Sequence, residues 1–163
     1  MSNPLARAAS AAYKLPGPLR VRALSTVLGT VVPLVGTAGL RIEELTESRA
    51  VVAVPNRRRV QNHIGGVHAA AMTLVAETAT GFVVGMNVPD DRVPVVKSLS
   101  VEFKKRAKGS LRAVASLTDD QRRMMRELPK GEVDVAITLT DEAGIEPAVA
   151  KMVWAWTPKR RES

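Results

Sequence analysis

The chain has 163 residues, of which 45% are hydrophobic and 25% are charged, so we expect one ordinary globular domain with a real core. The absence of cysteine excludes disulfides and thiolate metal sites, and fits the cytoplasmic location that we expect. Only two histidines are present, His63 and His68, which excludes a multi-histidine metal cluster. We expect no metal and no cofactor; a site built from both histidines and a carboxylate is the alternative.

The formal net charge of +8 raises the question of a nucleic-acid partner. Aromatic residues make up only 3% of the chain, so it lacks the stacking platform of single-strand binders, and no helix-turn-helix or zinc-finger spacing occurs. We therefore expect no nucleic acid among its partners. A nucleic-acid module remains an alternative, which a salt-dependent gel shift would support.

Residues 1–39 are predicted to form a helical arm that precedes the main domain. The segment Ala23–Leu40 has no charged residue, which superficially resembles a membrane or signal segment. Pro33 and several glycines interrupt it, however, so we predict a short helix that packs over the domain and ends near Pro33–Gly39. We expect no membrane partner; export or membrane attachment is the alternative.

From residue 40 to residue 158 the pattern predicts an α+β domain with six strands and one central helix. The helix should run from Val67 to Val83 or Val84, and residues 87–94 should form a loop. Residues 118–130 should include a helical turn capped by Asp119 or Asp120, and residues 159–163 a basic tail. The predicted strands are Leu40–Thr46, Arg49–Pro55, Val95–Arg106, Leu111–Leu117, Glu132–Thr140 and Ala148–Thr157.

The stretch from Asn62 to Gly81 carries the most informative residues. Glu77 is the only residue charged at neutral pH between Ile64 and Pro89, and a carboxylate in such a run is costly to bury without a partner. It either reaches solvent or has a function. His68 and Glu77 lie nine residues apart, which puts them roughly 180° apart around a helix and about 13 Å apart along it. If both serve one site, a second copy of the helix must supply one of them.

This stretch resembles the signature of hotdog-fold acyl-CoA thioesterases of the phenylacetate-pathway type. Asn62, Gly65, His68 and Glu77 fall at the spacings of that signature. The two glycines that follow the histidine in those enzymes are replaced here by Ala69 and Ala70. The strand pattern extends the resemblance over residues 40–157.

The resemblance implies a hotdog fold, in which an antiparallel sheet wraps around the central helix, and a homodimer or homotetramer that hydrolyses an acyl- or aryl-CoA. It implies that the N–H of Ala69 polarises the thioester carbonyl and that Glu77 of the partner subunit is the general base or nucleophile. It further implies that Asn62 orients the water or the carbonyl and that His68 holds the helix start. Substrate contacts are expected from a glycine pair, a basic run and a strand serine: Gly65, Gly66, Arg57, Arg58, Arg59 and Ser98.

Several alternatives remain open at the level of sequence. The protein could bind an acyl-CoA without turnover, as a sensor or accessory subunit, since the glycines after His68 are missing and Val96 stands where related enzymes often carry a serine or threonine. Hydration or dehydration of an acyl-CoA is a further alternative. Asn62 could only cap the loop, the glycines could only turn the chain, and His68 could be structural.

Overall fold

The computed structural model describes residues 3–159. It places six strands and five α-helices in this part of the chain. The first two residues of the predicted arm and residues 160–163 of the predicted basic tail lie outside the described part. In chain order the elements are α1 Pro4–Ala12, α2 Gly17–Val31, α3 Pro33–Ala38, β1 Arg41–Leu45, β2 Arg49–Val54, a 3₁₀ turn at Arg58–Val60, α4 Ala69–Gly85, β3 Arg92–Phe103, β4 Leu111–Ser116, α5 Asp119–Glu127, β5 Gly131–Asp141 and β6 Ala148–Pro158.

The six strands form one antiparallel sheet in the order β1-β2-β4-β5-β6-β3. Strand β5 pairs with β4 through residues 136–141 and with β6 through residues 131–135, so it joins the two halves of the sheet. Helix α4 packs against strands of both halves, and its small apolar residues such as Val75, Ala76 and Ala79 are fully buried. The α+β architecture, a sheet around one central helix, is confirmed.

The boundaries of α4 differ from the prediction. The helix begins at Ala69 rather than Val67 because Val67 forms a β-bridge with Gln61 and His68 takes the N-cap position. It continues to Gly85, slightly beyond the predicted end at Val83 or Val84. Strand β3 begins at Arg92, so the predicted loop over residues 87–94 is shorter than expected.

Helix α5 is a nine-residue helix rather than a single turn, and the predicted cap was wrong. Its N-cap is Thr118, not Asp119 or Asp120. The Gln121 N–H donates to Thr118 Oγ1 at 3.2 Å, and the Thr118 N–H donates back to Gln121 Oε1 at 2.9 Å. This reciprocal capping box satisfies two backbone donors that an aspartate at the next position would leave free.

The N-terminal arm consists of three helices where the sequence predicted one short helix after a partly helical segment. Helices α2 and α3 meet through Gly29 and Gly36, since a Cβ atom on Gly36 would lie only 2.6 Å from the Gly29 carbonyl oxygen. Asn3 fastens the start of the arm to the end of α4, because its Nδ2 donates to the carbonyl oxygens of Gly85 and Val88 at 2.6 and 2.8 Å.

The arm also covers one edge of the sheet. The Ile42 N–H of edge strand β1 donates to Ser25 Oγ at 2.9 Å, and the Leu45 N–H donates to Tyr13 Oη at 3.2 Å. The opposite edge strand, β3, pairs with β6 on one side and with no described strand on the other. Within residues 3–159, therefore, the arm covers the β1 edge, while the β3 edge is open to another chain.

Candidate functional site

The loop before α4 is closed by its own polar groups. Asn62 Oδ1 accepts hydrogen bonds from the N–H groups of Ile64 and Gly66, each at 3.1 Å, while the Asn62 N–H donates to the Gly66 carbonyl at 2.8 Å. Gly65 has a φ of +76°, a left-handed conformation that favours glycine. Asn62 Nδ2 donates to no atom within residues 3–159, so one face of this amide remains available for a ligand.

The start of α4 is capped by a side chain that leaves one backbone donor free. His68 Nδ1 accepts the hydrogen bond of the Ala70 N–H at 3.0 Å, and the His68 carbonyl accepts the N–H groups of Ala71 and Met72. The Ala69 N–H makes no hydrogen bond to any part of the chain described. Because Ala69 is exposed and occupies the first helical position, this N–H and the helix dipole can act on a bound carbonyl oxygen.

Glu77 lies half-buried, two turns further along α4. Burial raises the pKa of its carboxyl group above the usual value of 4.5, and the hydroxyl of the neighbouring Thr78 offsets part of the rise. That hydroxyl is itself buried and makes no hydrogen bond of normal geometry among residues 3–159. A carboxylate that is partly desolvated, yet reachable, is suited to act as a base or nucleophile.

The side of α4 that bears Glu77 faces β6 and β3. Gly81, one turn after Glu77, packs against the Trp154 ring so closely that a Cβ atom there would lie 2.7 Å from it. The Trp154 Nε1–H donates to Thr80 Oγ1 at 3.0 Å, and Trp154 in turn pairs with Val96 on β3. The face of α4 that carries Gly81, one turn after Glu77, therefore packs on the β6 residue that pairs with the edge strand.

On that edge strand, apolar side chains share the face that looks towards α4. Val96, Leu99 and Phe103 pair with Trp154, Met152 and Ala148, whose side chains are all buried. The three β3 side chains remain 38, 47 and 48% exposed. An exposed apolar strip thus runs along the edge strand that no described strand covers, on the face of the sheet towards α4.

The structure does not bring all the predicted site residues together. Ala69 and Glu77 lie eight residues apart on one helix, about 12 Å along its axis, which exceeds the reach of a glutamate side chain. Ser98 pairs with Val153, after an irregularity between Val96 and Ser98, and so lies on the face of the sheet away from α4. The strand position nearest the helix is Val96. A role for Ser98 beside Glu77 has no support in this geometry.

The predicted phosphate contacts fall into two groups. Arg57 and Arg58 are exposed and form no ion pair within residues 3–159. Arg59 instead packs over Gly39 and donates to the Thr37 carbonyl at 3.4 Å, so the arm holds it. A second cationic position beside the loop was not predicted from the sequence. A cavity of about 370 Å³ beside Gly65 and Gly66 is lined by Arg106 and Lys108. These two cations are distant from the glycines in sequence and come close to them only in the fold.

Arg106 is also part of the loop structure, because its guanidinium donates to the Ile64 carbonyl at 3.0 Å. Among residues 3–159, no group of three or more histidine, cysteine, aspartate or glutamate side chains could hold a metal ion. In the same part of the chain, none of the helices has the length and apolarity needed to cross a bilayer.

Comparison with known proteins places this geometry in a family. The family described as "Domain of unknown function (DUF4442)" matches residues 20–157. The chain belongs to this family. No curated protein sequence matches it.

Solved structures show where the fold recurs. A Pseudomonas aeruginosa protein, PA5026, described as a protein of unknown function and "Probable Thioesterase", is 26% identical, with a TM-score of 0.71 over 89% of this chain and 97% of that chain. Thioesterase HI1161 from Haemophilus influenzae is 14% identical, with a TM-score of 0.67 over 85% and 90% of the two chains. A thioesterase family protein from Silicibacter pomeroyi is 17% identical, with a TM-score of 0.63 over 83% and 96%. The predicted hotdog fold and the resemblance to the hotdog-fold thioesterase superfamily are thereby confirmed.

Proposed function

We propose that this protein is a thioesterase that hydrolyses an acyl- or aryl-CoA at a site shared between two copies of the chain. The observation that carries the proposal is the separation of two complementary groups on α4. A free N–H stands at Ala69, and a half-buried carboxylate stands at Glu77, too far along the helix to meet it. A second copy, related by two-fold symmetry, can bring Glu77 of one subunit to Ala69 of the other.

The edge strand β3 supports the same arrangement. Its outer backbone groups are unpaired within residues 3–159, and the apolar side chains of Val96, Leu99 and Phe103 beside it are exposed. The other sheet edge is already covered by Ser25 and Tyr13. A second β3 strand would satisfy the free backbone groups and bury the apolar strip next to Glu77, where an acyl chain would also bind.

In the proposed reaction the Ala69 N–H donates to the thioester carbonyl oxygen and stabilises the charge that develops there. The ionised Glu77 of the second copy either takes a proton from the attacking water or attacks the carbonyl carbon itself. The C–S bond then breaks and coenzyme A leaves as the thiolate, which takes up a proton. Water supplies the hydroxyl group of the acid product, directly or when it hydrolyses the acyl–Glu77 intermediate.

The remaining residues support binding and orientation. The free Nδ2 of Asn62 is placed on the loop before the helix start, where it can hold the water or the carbonyl. His68 acts by capping the helix, which keeps the Ala69 N–H exposed. We assign the coenzyme A phosphates to the exposed cations next to this loop, Arg57 and Arg58 on one side and Arg106 and Lys108 on the other.

A second candidate is an acyl-CoA-binding protein without turnover. The observation that favours it is the position of Ser98, which lies on the outer face of the sheet and leaves Val96 opposite α4. Related enzymes often support their acid from that strand, whereas here the hydroxyls near Glu77 come from Thr78 and Thr80 on the same helix.

Thiol release from a panel of short, medium, long and aryl acyl-CoAs separates the two candidates. The chain has no cysteine, so a thiol-reactive dye reports only the product. We expect turnover by the wild type and a loss of about 10²-fold or more in Glu77→Gln. Turnover that is unchanged in Glu77→Gln would contradict the role of Glu77. Saturable binding with no turnover on any substrate would favour the sensor.

A further inference from the structure

The corner between α2 and α3 exposes a cluster of apolar side chains far from Glu77 in sequence. Val31 is 71% exposed, Leu34 59% and Val27 47%. Val27 and Val31 are one turn apart on α2 and so share a face. The close contact of Gly29 with Gly36 fixes the corner, so these side chains protrude together from a defined turn.

The charge around this corner has one sign. The chain contains no aspartate or glutamate before Glu43, and its basic residues up to that point are Arg7, Lys14, Arg20, Arg22 and Arg41. Lys14, Arg22 and Arg41 pair with no carboxylate within residues 3–159. The arm is therefore a cationic surface with an apolar corner, a combination typical of protein segments that lie on anionic membranes.

A cavity of about 520 Å³ lies between α2, α3 and the start of β1, beside the corner. Arg22 and Arg41 line it, together with the hydroxyl-bearing residues Ser25, Thr26 and Thr30. Guanidinium groups are side-chain donors that suit a phosphate group. The hydroxyls of Ser25 and Thr30 already donate to backbone carbonyl oxygens of α2, so Arg22 and Arg41 are the main donors of this cavity. The cavity thus offers a place for a lipid phosphate next to side chains that suit the acyl region.

We propose that the arm docks on the surface of an anionic bilayer, with Val31, Val32 and Leu34 in the interface and a lipid phosphate beside Arg22 and Arg41. A second copy of the same surface fits less well, because a two-fold contact would bring its cations together. The proposal departs from the expectation of no membrane partner, and it is independent of thioester hydrolysis.

Vesicle flotation of the full chain tests this surface. We expect flotation with phosphatidylcholine vesicles that contain phosphatidylglycerol, little with phosphatidylcholine alone, and a decrease as salt rises. Val31→Ser with Leu34→Ser should weaken binding tenfold or more, and Arg22→Gln with Arg41→Gln about fivefold for each charge removed. Ile145→Ser and Lys130→Gln are matched controls, because they remove an exposed apolar side chain and an exposed charge elsewhere and should leave flotation unchanged.

Three results would overturn the proposal. The first is no flotation with anionic vesicles. The second is a loss in Lys130→Gln equal to that in the arm variants, which would indicate unspecific attraction of a basic protein. The third is a double variant, Val31→Ser with Leu34→Ser, that floats as well as the wild type, together with a protein that binds soluble polyglutamate as tightly as it binds the vesicles. That result would indicate an acidic protein as the partner. Melting temperatures of all variants establish that each one is folded.

Discussion

His68 Nδ1 accepts the hydrogen bond of the Ala70 N–H at 3.0 Å, and this contact determines which donor at the start of α4 is left for a ligand. The imidazole satisfies the N–H at the second helical position, and the N–H at the first position, that of Ala69, stays free. The proposed function depends on the free Ala69 N–H. His68 therefore contributes to the site by capping the helix, and it does not touch the reacting atoms.

Ala69→Pro removes that one N–H with little disturbance elsewhere. Proline is favoured at the first helical position, and His68 already has the extended conformation that a following proline requires, with φ −66° and ψ 144°. We expect an unchanged melting temperature and a loss of kcat of about 10²- to 10³-fold. Ala70→Ser is the matched control, because it changes the neighbouring position and keeps both N–H groups.

Mixing two inactive variants tests whether the site is shared. If Glu77 and Ala69 come from different subunits, a dimer of one Glu77→Gln chain and one Ala69→Pro chain contains one intact site and one doubly altered site. Random exchange should then restore about a quarter of the wild-type activity in a two-fold symmetric dimer. Mixtures that stay inactive after verified subunit exchange would place both groups in one chain and contradict the shared site.

Asn62 has two roles that substitutions can separate. Asn62→Asp keeps the oxygen that accepts from Ile64 and Gly66 but removes the free Nδ2 donor, so the melting temperature should change little while kcat/KM falls roughly 10- to 100-fold. Asn62→Ala loses both and should also lower the free energy of unfolding by about 1–3 kcal/mol, because two N–H groups lose their acceptor. Full activity in a stably folded Asn62→Asp would mean that Asn62 only caps the loop.

Because of the raised pKa of Glu77, the activity should rise with pH while the free energy of unfolding falls. Since burial raises this pKa in the folded state, the proposed base is ionised only at a pH above the usual 4.5, and the acid limb of kcat/KM should lie there. The same shift means that the protonated Glu77 contributes to the free energy of unfolding at low pH, and that this contribution is lost as the pH rises through the pKa of Glu77 in the folded state. Glu77→Gln should therefore melt at a higher temperature than the wild type at pH about 7, and this difference should vanish below the unfolded pKa.

A second substitution checks the cause of that shift. Thr78→Val removes the hydroxyl that lowers the pKa of Glu77 while it keeps the shape of the side chain, so the acid limb should move to higher pH. An unmoved acid limb in Thr78→Val, or a destabilised Glu77→Gln at neutral pH, would contradict this account of the carboxylate.

The cations beside the loop should affect binding rather than chemistry. Arg57→Gln with Arg58→Gln, and separately Lys108→Gln, should raise KM about tenfold for a CoA thioester and leave kcat unchanged. A short thioester that lacks the nucleotide, such as an N-acetylcysteamine thioester, is the matched control, because its KM should not respond. Lys130→Gln lies away from the loop and serves as the charge control.

The central helix and the six strands were predictable because their signals are local and repeated. Alternation along residues 99–103 and the small apolar residues of α4 each predict one element without reference to the rest. The side of β3 on which Val96 lies was not predictable. Strict alternation would put Val96 on the same face as Ser98, but an irregularity between the two residues puts it on the face towards α4 and leaves no mark in the sequence. The contact of Arg106 with the Ile64 carbonyl and the cover that Ser25 gives β1 join residues distant in sequence, which periodicity does not detect.

The packing of Trp154 against Gly81 gives the protein an internal fluorophore one turn from Glu77. The indole is buried and fastened to Thr80, so its emission depends on a fixed environment. The other tryptophan, Trp156, donates to the Leu128 carbonyl at 2.9 Å, and its replacement by phenylalanine leaves a single reporter. In the proposed site, the arrival of an acyl group beside Glu77 can thus be followed by the emission of Trp154, without a label and without turnover.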